Sequence, residues 1–153
     1  MSKEFKRLFE GENITKVLTI EASGIAMASM TAYLFSVPLV FAKKSKSKNI
    51  SDEVYAVEIP SFTHGNTNTV VVSREYLHPG DRVLIIDDFL ATGAALVGLK
   101  ALVEMAGGTV VGAGIAVEKS FQGGGDKLRV EGLRIESLAK IESMTDEGEI
   151  TFC

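Results

Sequence analysis

The chain has 153 residues, of which 46% are apolar, and this is enough for one domain with one sizeable core. Its 16 basic and 20 acidic residues give a net charge of −4, which argues against nucleic acid as a bulk electrostatic partner. The one cysteine, Cys153, cannot form an internal disulfide, and no segment has the length and hydropathy of a signal peptide or membrane span. We therefore expect a cytoplasmic protein without a membrane partner.

The first third of the chain is predicted to alternate helix and strand. The expected elements are a helix at 3–10, a strand at 17–20, a helix at 25–35 and a strand at 37–44. In the second helix, Met27, Met30 and Leu34 are spaced to line one buried face. Residues 43–53 are basic, small and polar without apolar periodicity, which is typical of an exposed, mobile loop.

The rest of the chain continues the alternation. The expected elements are a hairpin or flap from strands at 55–62 and 69–73, a strand at 83–86, a helix at 94–106, a strand at 109–119, a short helix at 126–131, and strands at 133–141 and 149–152. Strands that are almost continuously apolar and alternate with helices predict an α/β fold with a mostly parallel sheet covered on both faces. Ligands bind such sheets at the carboxyl ends of the strands.

The stretch VLIIDDFLATGAA, residues 83–95, carries the most specific chemistry at a strand end. Between a strand and a helix, small residues leave backbone N–H groups open to a phosphate, and Thr92 adds a hydroxyl. Asp87 and Asp88 can accept hydrogen bonds from the paired hydroxyls of a ribose, so a ribose 5-phosphate site is one interpretation. Two others stay open: Asp87 could cap a turn while Gly93 accommodates the helix start, or the acid pair could bind magnesium in a phosphotransfer protein.

The same stretch resembles the phosphoribosyl-diphosphate signature of the type I phosphoribosyltransferases. In that family the two acids, here Asp87 and Asp88, hold the ribose hydroxyls and favour the developing positive charge of the sugar. The loop holds the 5-phosphate, and its residues here are Ala91, Thr92, Gly93, Ala94 and Ala95. Many relatives have Thr where this chain has Ala95, so the loop has one hydroxyl fewer.

Four further segments, VLTIEASGIA, VPLVFAKKSKS, GAGIAVEKSFQGGGDKL and LRIESLAKI, resemble the bacterial branch of this family that acts on xanthine. The resemblance implies that a turn meets the diphosphate, and its residues are Glu21, Ala22, Ser23 and Gly24. An ordinary strand-to-helix turn, with Ser23 or Glu21 near the helix cap, is the alternative.

The resemblance also implies binding roles for charged and aromatic residues outside these loops. Lys43 would add a cation for the phosphates, although a run of lysines is often only a solvated face. Lys119 would contact O6 and N7 of a 6-oxopurine. Phe121 would pack against the base, unless it is a core residue. The segment that extends to His64 resembles the family's closing loop.

The activity that the resemblance implies is purine salvage. The 5-phosphoribosyl group of phosphoribosyl diphosphate would be transferred to a 6-oxopurine, xanthine above all, by a homodimer. Mg²⁺ would bind through the substrate's diphosphate and not through a protein metal site. Relatives of the xanthine branch have a longer N-terminal segment over the base. We therefore expect 1–153 to form a single domain with this hood reduced or absent, and to use xanthine poorly. A non-catalytic ligand-binding or regulatory domain of the same fold is the alternative.

Overall fold

The computed structural model describes residues 1–44, 53–60, 67–145 and 147–153. The helices are α1 (Ser2–Leu8), α2 (Ile25–Phe35), α3 (Ala94–Met105) and α4 (Gly124–Val130), with a 3-10 turn at Ser120–Gln122. The strands are β1 (Lys16–Ile20), β2 (Leu39–Ala42), β3 (Val54–Pro60), β4 (Thr67–Ser73), β5 (Arg82–Leu90), β6 (Thr109–Lys119), β7 (Ile135–Met144) and β8 (Ile150–Phe152). Within the described ranges, no helix has the length and hydropathy needed to cross a membrane.

Six strands form one sheet in the order β2-β1-β5-β6-β7-β8. All neighbouring pairs are parallel except β7 and β8, which are antiparallel. This confirms the predicted α/β fold with a mostly parallel sheet. β3 and β4 form a separate antiparallel pair, so the hairpin interpretation is correct. The expected mobile loop and closing loop fall largely on 45–52 and 61–66, which lie outside the described residues.

The sheet is covered on both faces, as the apolar strands predict. In β5, Leu84 and Ile86 pack with α1 and α2 on one face, whereas Val83 and Ile85 belong to the cluster under α3 and the hairpin on the other. All four side chains are fully buried, which explains why this strand is apolar without alternation.

Two glycines of β6 let α1 lie directly on the sheet. A Cβ atom at Gly112 would be 2.6 Å from the Phe9 ring, and one at Gly114 would be 2.7 Å from the Phe5 ring. Both phenylalanines are fully buried. Because a methyl group at either glycine would occupy the space of a ring, these two positions fix how closely α1 approaches β6.

Two sequence-based expectations need correction. Met30 is 54% exposed, because α2 instead turns Met27, Ala28 and Ala32 toward the sheet and lets small residues approach it closely. The strand expected to end at residue 86 runs on to Leu90, since β5 stays paired with the long strand β6. The acid pair is therefore inside the strand and does not follow it.

Candidate active site

A cleft of about 220 Å³ opens at the carboxyl edge of the sheet, between β5, the start of α3 and the hairpin. Six of the predicted site residues line it together with neighbouring side chains: Asp87, Ala91, Thr92, Gly93, Ala94 and Ala95. Lys44 and Phe89 also line it. Residues that are far apart in the sequence thus meet where the parallel-sheet rule places ligands.

The two acids differ in environment. Asp87 is only 6% exposed and lines the cleft, and its Oδ1 accepts the backbone N–H of Asp88 at 3.0 Å. Asp88 is half-buried and borders an adjacent groove together with Ser23 and Ala26. Because successive side chains alternate across a strand, the continuation of β5 gives each acid a different surface.

Burial raises the pKa of Asp87, and a side-chain hydrogen bond and the charge of Asp88 add to this, so that the pKa reaches about 7. The ammonium group of Lys44 and the backbone N–H of Asp88 oppose the shift. Near neutral pH the Asp87 carboxyl is therefore protonated for part of the time. A ligand that brings hydroxyl donors or positive charge would favour ionisation of Asp87.

The turn at 21–24 lies directly against the acid pair. A Cβ atom at Gly24 would overlap Thr19 Oγ1 and lie 3.2 Å from Asp87 Oδ1. Ala22 and Ser23 are exposed, and the peptide bond between Glu21 and Ala22 is cis. Glu21 Oε1 accepts the backbone N–H of Lys44 at 2.7 Å, so this carboxylate fastens the turn to the end of β2.

Helix α4 packs against the small-residue loop at 91–95. Gly93 precedes α3 and has φ +88°, a left-handed conformation that favours glycine. This agrees with the alternative interpretation in which Gly93 accommodates the start of the helix. A Cβ atom at Gly124 would overlap the Ala91 carbonyl oxygen and lie 2.6 Å from Gly93 N. The start of α4 therefore packs on the loop backbone, while Thr92 on the loop itself is exposed.

Two residues beyond Asp87 in β5, a phenylalanine ring in the same cleft has a lysine over it. Lys119 Nζ is 5.5 Å from the centroid of the Phe89 ring, within cation–π range. Phe89 is 51% exposed and Phe121 is 50% exposed, so the interpretation of Phe121 as a core residue is wrong. The sequence analysis did not select Phe89. Strand alternation from Asp87 would have placed it on the cleft side, had the strand been extended past the acids.

A buried ion pair next to Lys119 was also missed. Glu118 is 1% exposed, and its carboxylate accepts two hydrogen bonds from Arg129 of α4, at 2.7 and 2.6 Å, and one from Ser137 of β7. Burial alone would raise the pKa of Glu118, but these hydrogen bonds and the Arg129 charge bring it below its usual value. This bidentate contact fixes α4 to the strand end that carries Lys119.

Lys43 joins the sheet to the hairpin through its backbone. Its N–H donates to the Val71 carbonyl at 2.9 Å, and the Val71 N–H donates to the Lys43 carbonyl at 2.8 Å. The side chain that reaches the cleft is that of the next residue, Lys44. Lys46, Lys48 and His64 lie outside the described residues.

Comparisons with known proteins show the family of this chain. The model of the phosphoribosyl transferase domain matches residues 2–141. A xanthine phosphoribosyltransferase of Lachnoclostridium phytofermentans is 57% identical over 153 residues, which cover 99% of this chain and 79% of that protein. One of Brevibacillus brevis is 55% identical over 148 residues, 97% of this chain and 76% of that protein.

A solved structure shares the fold. The adenine phosphoribosyltransferase of Thermoanaerobacter pseudethanolicus superposes with a TM-score of 0.80 and 29% sequence identity, over 91% of this chain and 77% of that one. The Giardia lamblia enzyme, crystallised with 9-deazaadenine, gives a TM-score of 0.79 and 26% identity over 91% of this chain and 76% of that one. By sequence and by fold, this chain belongs to the phosphoribosyltransferase family.

Proposed function

We propose that this protein transfers the 5-phosphoribosyl group of phosphoribosyl diphosphate to xanthine, giving xanthosine monophosphate and diphosphate. The observation that carries the proposal is the meeting of a buried acid, a small-residue loop and a lysine–phenylalanine pair at one edge of the sheet. The relatives named above bear the name xanthine phosphoribosyltransferase, which supports xanthine as the acceptor. Since they are enzymes, they give no support to a non-catalytic domain.

The 5-phosphate would bind at the loop that begins α3. Residues 91–95 present backbone N–H groups and the positive end of the helix dipole, and Thr92 is exposed so that its hydroxyl can donate. Lys44 lines the same cleft and adds a positive charge. Lys43, at the end of the neighbouring strand, is the second candidate cation for the phosphates.

The diphosphate would bind at the turn 21–24, where Ala22 and Ser23 are exposed and Gly24 leaves no side chain between the turn and Asp87. In the described part of the chain, no three His, Cys, Asp or Glu side chains are grouped closely enough to hold a metal ion. Mg²⁺ would be held by diphosphate oxygens and water, as is common for this ion. When bound there, Mg²⁺ would neutralise negative charge on the leaving group.

The base would stack on the Phe89 ring, and the Lys119 ammonium group would reach the edge of the base. A half-exposed ring gives a flat apolar surface for a purine, and the ammonium group can donate to O6 and N7 of a 6-oxopurine. Phe121 is exposed close by in the chain and offers a second apolar surface. Adenine has an amino group at C6, so a lysine donor at that edge disfavours it.

In the reaction, the bond from the anomeric carbon to the diphosphate oxygen breaks, a bond from purine N9 to that carbon forms, and the imidazole proton of the purine leaves with the diphosphate. Positive charge develops on the sugar ring as the diphosphate leaves. Asp87 and Asp88 would accept hydrogen bonds from the ribose hydroxyls and stabilise this charge, provided that both are ionised. Since the pKa of Asp87 is about 7 in the ligand-free protein, activity should fall as the pH drops below neutrality.

The direct test is a nucleotide-forming assay. The protein is incubated with phosphoribosyl diphosphate, Mg²⁺ and one of xanthine, guanine, hypoxanthine or adenine, and both the nucleotide and the released diphosphate are measured. We expect the highest kcat/KM with xanthine and the lowest with adenine. Binding of phosphoribosyl diphosphate without product from any base would contradict the enzyme and favour a ligand-binding domain.

Three further parts of the hypothesis remain predictions: a single domain over 1–153, a homodimer and a cytoplasmic location. The single domain is supported by the sheet, whose strands come from both ends of the chain, and by the fact that β5 contributes to both core clusters. Sedimentation of the purified protein would test the homodimer.

A further inference from the structure

Thr19, in β1, has a hydroxyl group that the fold does not use. The residue is fully buried, and within the described residues its Oγ1 is the only buried side-chain polar atom without a hydrogen-bond partner. Thr31 provides the contrast, because it is equally buried and its hydroxyl donates to the Met27 carbonyl at 2.9 Å. A buried hydroxyl without a partner destabilises the folded state, so its presence needs a reason.

The unpaired hydroxyl lies beside the inner acid of the site. The Cβ position at Gly24 overlaps Thr19 Oγ1 and is 3.2 Å from Asp87 Oδ1, so the absence of a side chain at Gly24 leaves the two oxygens near each other. The two oxygens form no hydrogen bond in the ligand-free protein, so a contact between them requires the carboxylate to rotate toward the hydroxyl. Asp87 Oδ1 already accepts one hydrogen bond, from the backbone N–H of Asp88 at 3.0 Å.

We propose that Thr19 is a positioning residue for Asp87, whose carboxylate accepts a hydrogen bond from the Thr19 hydroxyl when phosphoribosyl diphosphate is bound. This inference rests on the proposed function, in which the ionised Asp87 accepts the ribose hydroxyls. The Thr19 hydroxyl would donate to one oxygen of the Asp87 carboxylate and leave the other oxygen oriented toward the sugar.

The chemical reason is the change in the charge of Asp87. In the ligand-free protein, burial and Asp88 raise the pKa of Asp87, and Lys44 is the cation that opposes them. An ionised carboxylate in this place needs donors, and Thr19 supplies one that is already desolvated. The hydroxyl therefore gains its partner in the state that reacts and lacks one in the free state.

The test compares Thr19→Val, which removes the hydroxyl at almost constant shape, with Thr19→Ser, which keeps it. Thr31→Val is the matched control, because it removes an equally buried hydroxyl whose partner belongs to its own helix. Each variant is measured for its Tm, for phosphoribosyl-diphosphate affinity by calorimetry with Mg²⁺, and for kcat and kcat/KM between pH 5.5 and 9.

We expect Thr19→Val to have a Tm equal to or above that of the wild type, because an unpaired polar group has been removed. Its affinity for phosphoribosyl diphosphate and its kcat/KM should both fall by about tenfold, in line with a lost hydrogen bond to a charged group. The acid limb of its kcat profile should move to higher pH, because kcat reports ionisation in the bound state, where the hydrogen bond forms. Thr19→Ser should restore these values, and Thr31→Val should bind and react normally.

If Thr19→Val kept the wild-type affinity for phosphoribosyl diphosphate, the wild-type kcat/KM and the wild-type acid limb of the kcat profile, the inference would be overturned. The proposed function would remain intact. A loss of Tm in parallel with activity, without recovery in Thr19→Ser, would show a packing role and also overturn it. If wild-type protein binds phosphoribosyl diphosphate but forms no nucleotide, the proposed function fails. The calorimetric comparison then still decides whether Thr19 acts on Asp87.

Discussion

Replacement of Asp87 by asparagine should make the protein more stable and less active. The pKa of Asp87 is raised from 3.8 to about 7 in the folded state. Between these two values the folded protein binds more protons than the unfolded chain, so its free energy of unfolding decreases as the pH rises. At 1.36 kcal/mol per pKa unit, the ionised group costs up to about 4 kcal/mol above pH 7. The asparagine side chain does not ionise, so this cost would disappear.

Chemical denaturation at pH 5, 7 and 9 measures this effect. We expect the stability of Asp87→Asn relative to wild type to increase across this series by about 2–3 kcal/mol, most of it between pH 5 and pH 7. Asp126→Asn is the control, because the Asp126 side chain is 76% exposed, and it should keep the pH dependence of the wild type.

The same variant should lose turnover. Removal of one charge that stabilises a transition state typically costs about 2–4 kcal/mol, or about 30- to 10³-fold in rate. If the Asp87 carboxylate is functional, its replacement by asparagine should raise the stability and lower kcat/KM. If Asp87→Asn showed the stability profile and kcat/KM of the wild type at every pH, the assignment of a strained, ionised acid at this position would be wrong.

Three other changes test separate parts of the structure. Lys119→Ala should weaken xanthine binding but spare phosphoribosyl-diphosphate binding, as calorimetry with each ligand alone would reveal; equal losses for both ligands would contradict its assignment to the base. Arg129→Met should destabilise the protein by about 3–5 kcal/mol in denaturant melts at pH 7, because it leaves the Glu118 carboxylate buried without its cation. Since the pKa of Glu118 is lowered, the contribution of this pair is present above the ordinary carboxyl pKa and is lost as the pH falls through the folded value, so wild type and variant should converge in acid. Gly114→Ala should cost about 1–3 kcal/mol because its methyl group would meet the Phe5 ring, and a melt identical to wild type would show that α1 can move aside.

Much of the fold could be predicted because its elements have clear periodicity. The helix expected at 94–106 is observed as Ala94–Met105, with Leu96, Leu99 and Val103 buried. The strand expected at 109–119 has those bounds in the structure. In both segments, local pattern and tertiary packing favour the same conformation.

Other features could not be predicted, because they depend on neighbours that are distant in the chain. Helix α2 has apolar or small residues on every side, so hydropathy alone could not show that Met30 would be exposed. The acids of β5 look like the end of a strand, but pairing of Phe89 with Val117 and of Leu90 with Glu118 continues the ladder. The error at the strand end also explains why Phe89 was overlooked.

The candidate site was predicted in its parts but not in its arrangement. The motif at 83–95 identified the loop and the acids, because small residues and paired carboxylates have a recognisable chemistry. The unpaired hydroxyl of Thr19 had no sequence signal, since a threonine in an apolar strand is ordinary. Only its position beside Gly24 and Asp87 distinguishes it from Thr31.

Helix α4 connects the two halves of the site without lining the main cleft. At its start, Gly124 packs against the backbone of Ala91 and Gly93, where the 5-phosphate would bind. Near its end, Arg129 holds Glu118, the residue before Lys119, where the base would bind. Transfer to N9 requires the anomeric carbon and the base to meet at about 3–3.5 Å, so a small change in the distance between the two halves has a large effect on rate. Since α4 is fixed at both ends, it would set this distance in the proposed function, which would give Gly124 and the buried Glu118–Arg129 ion pair a common role.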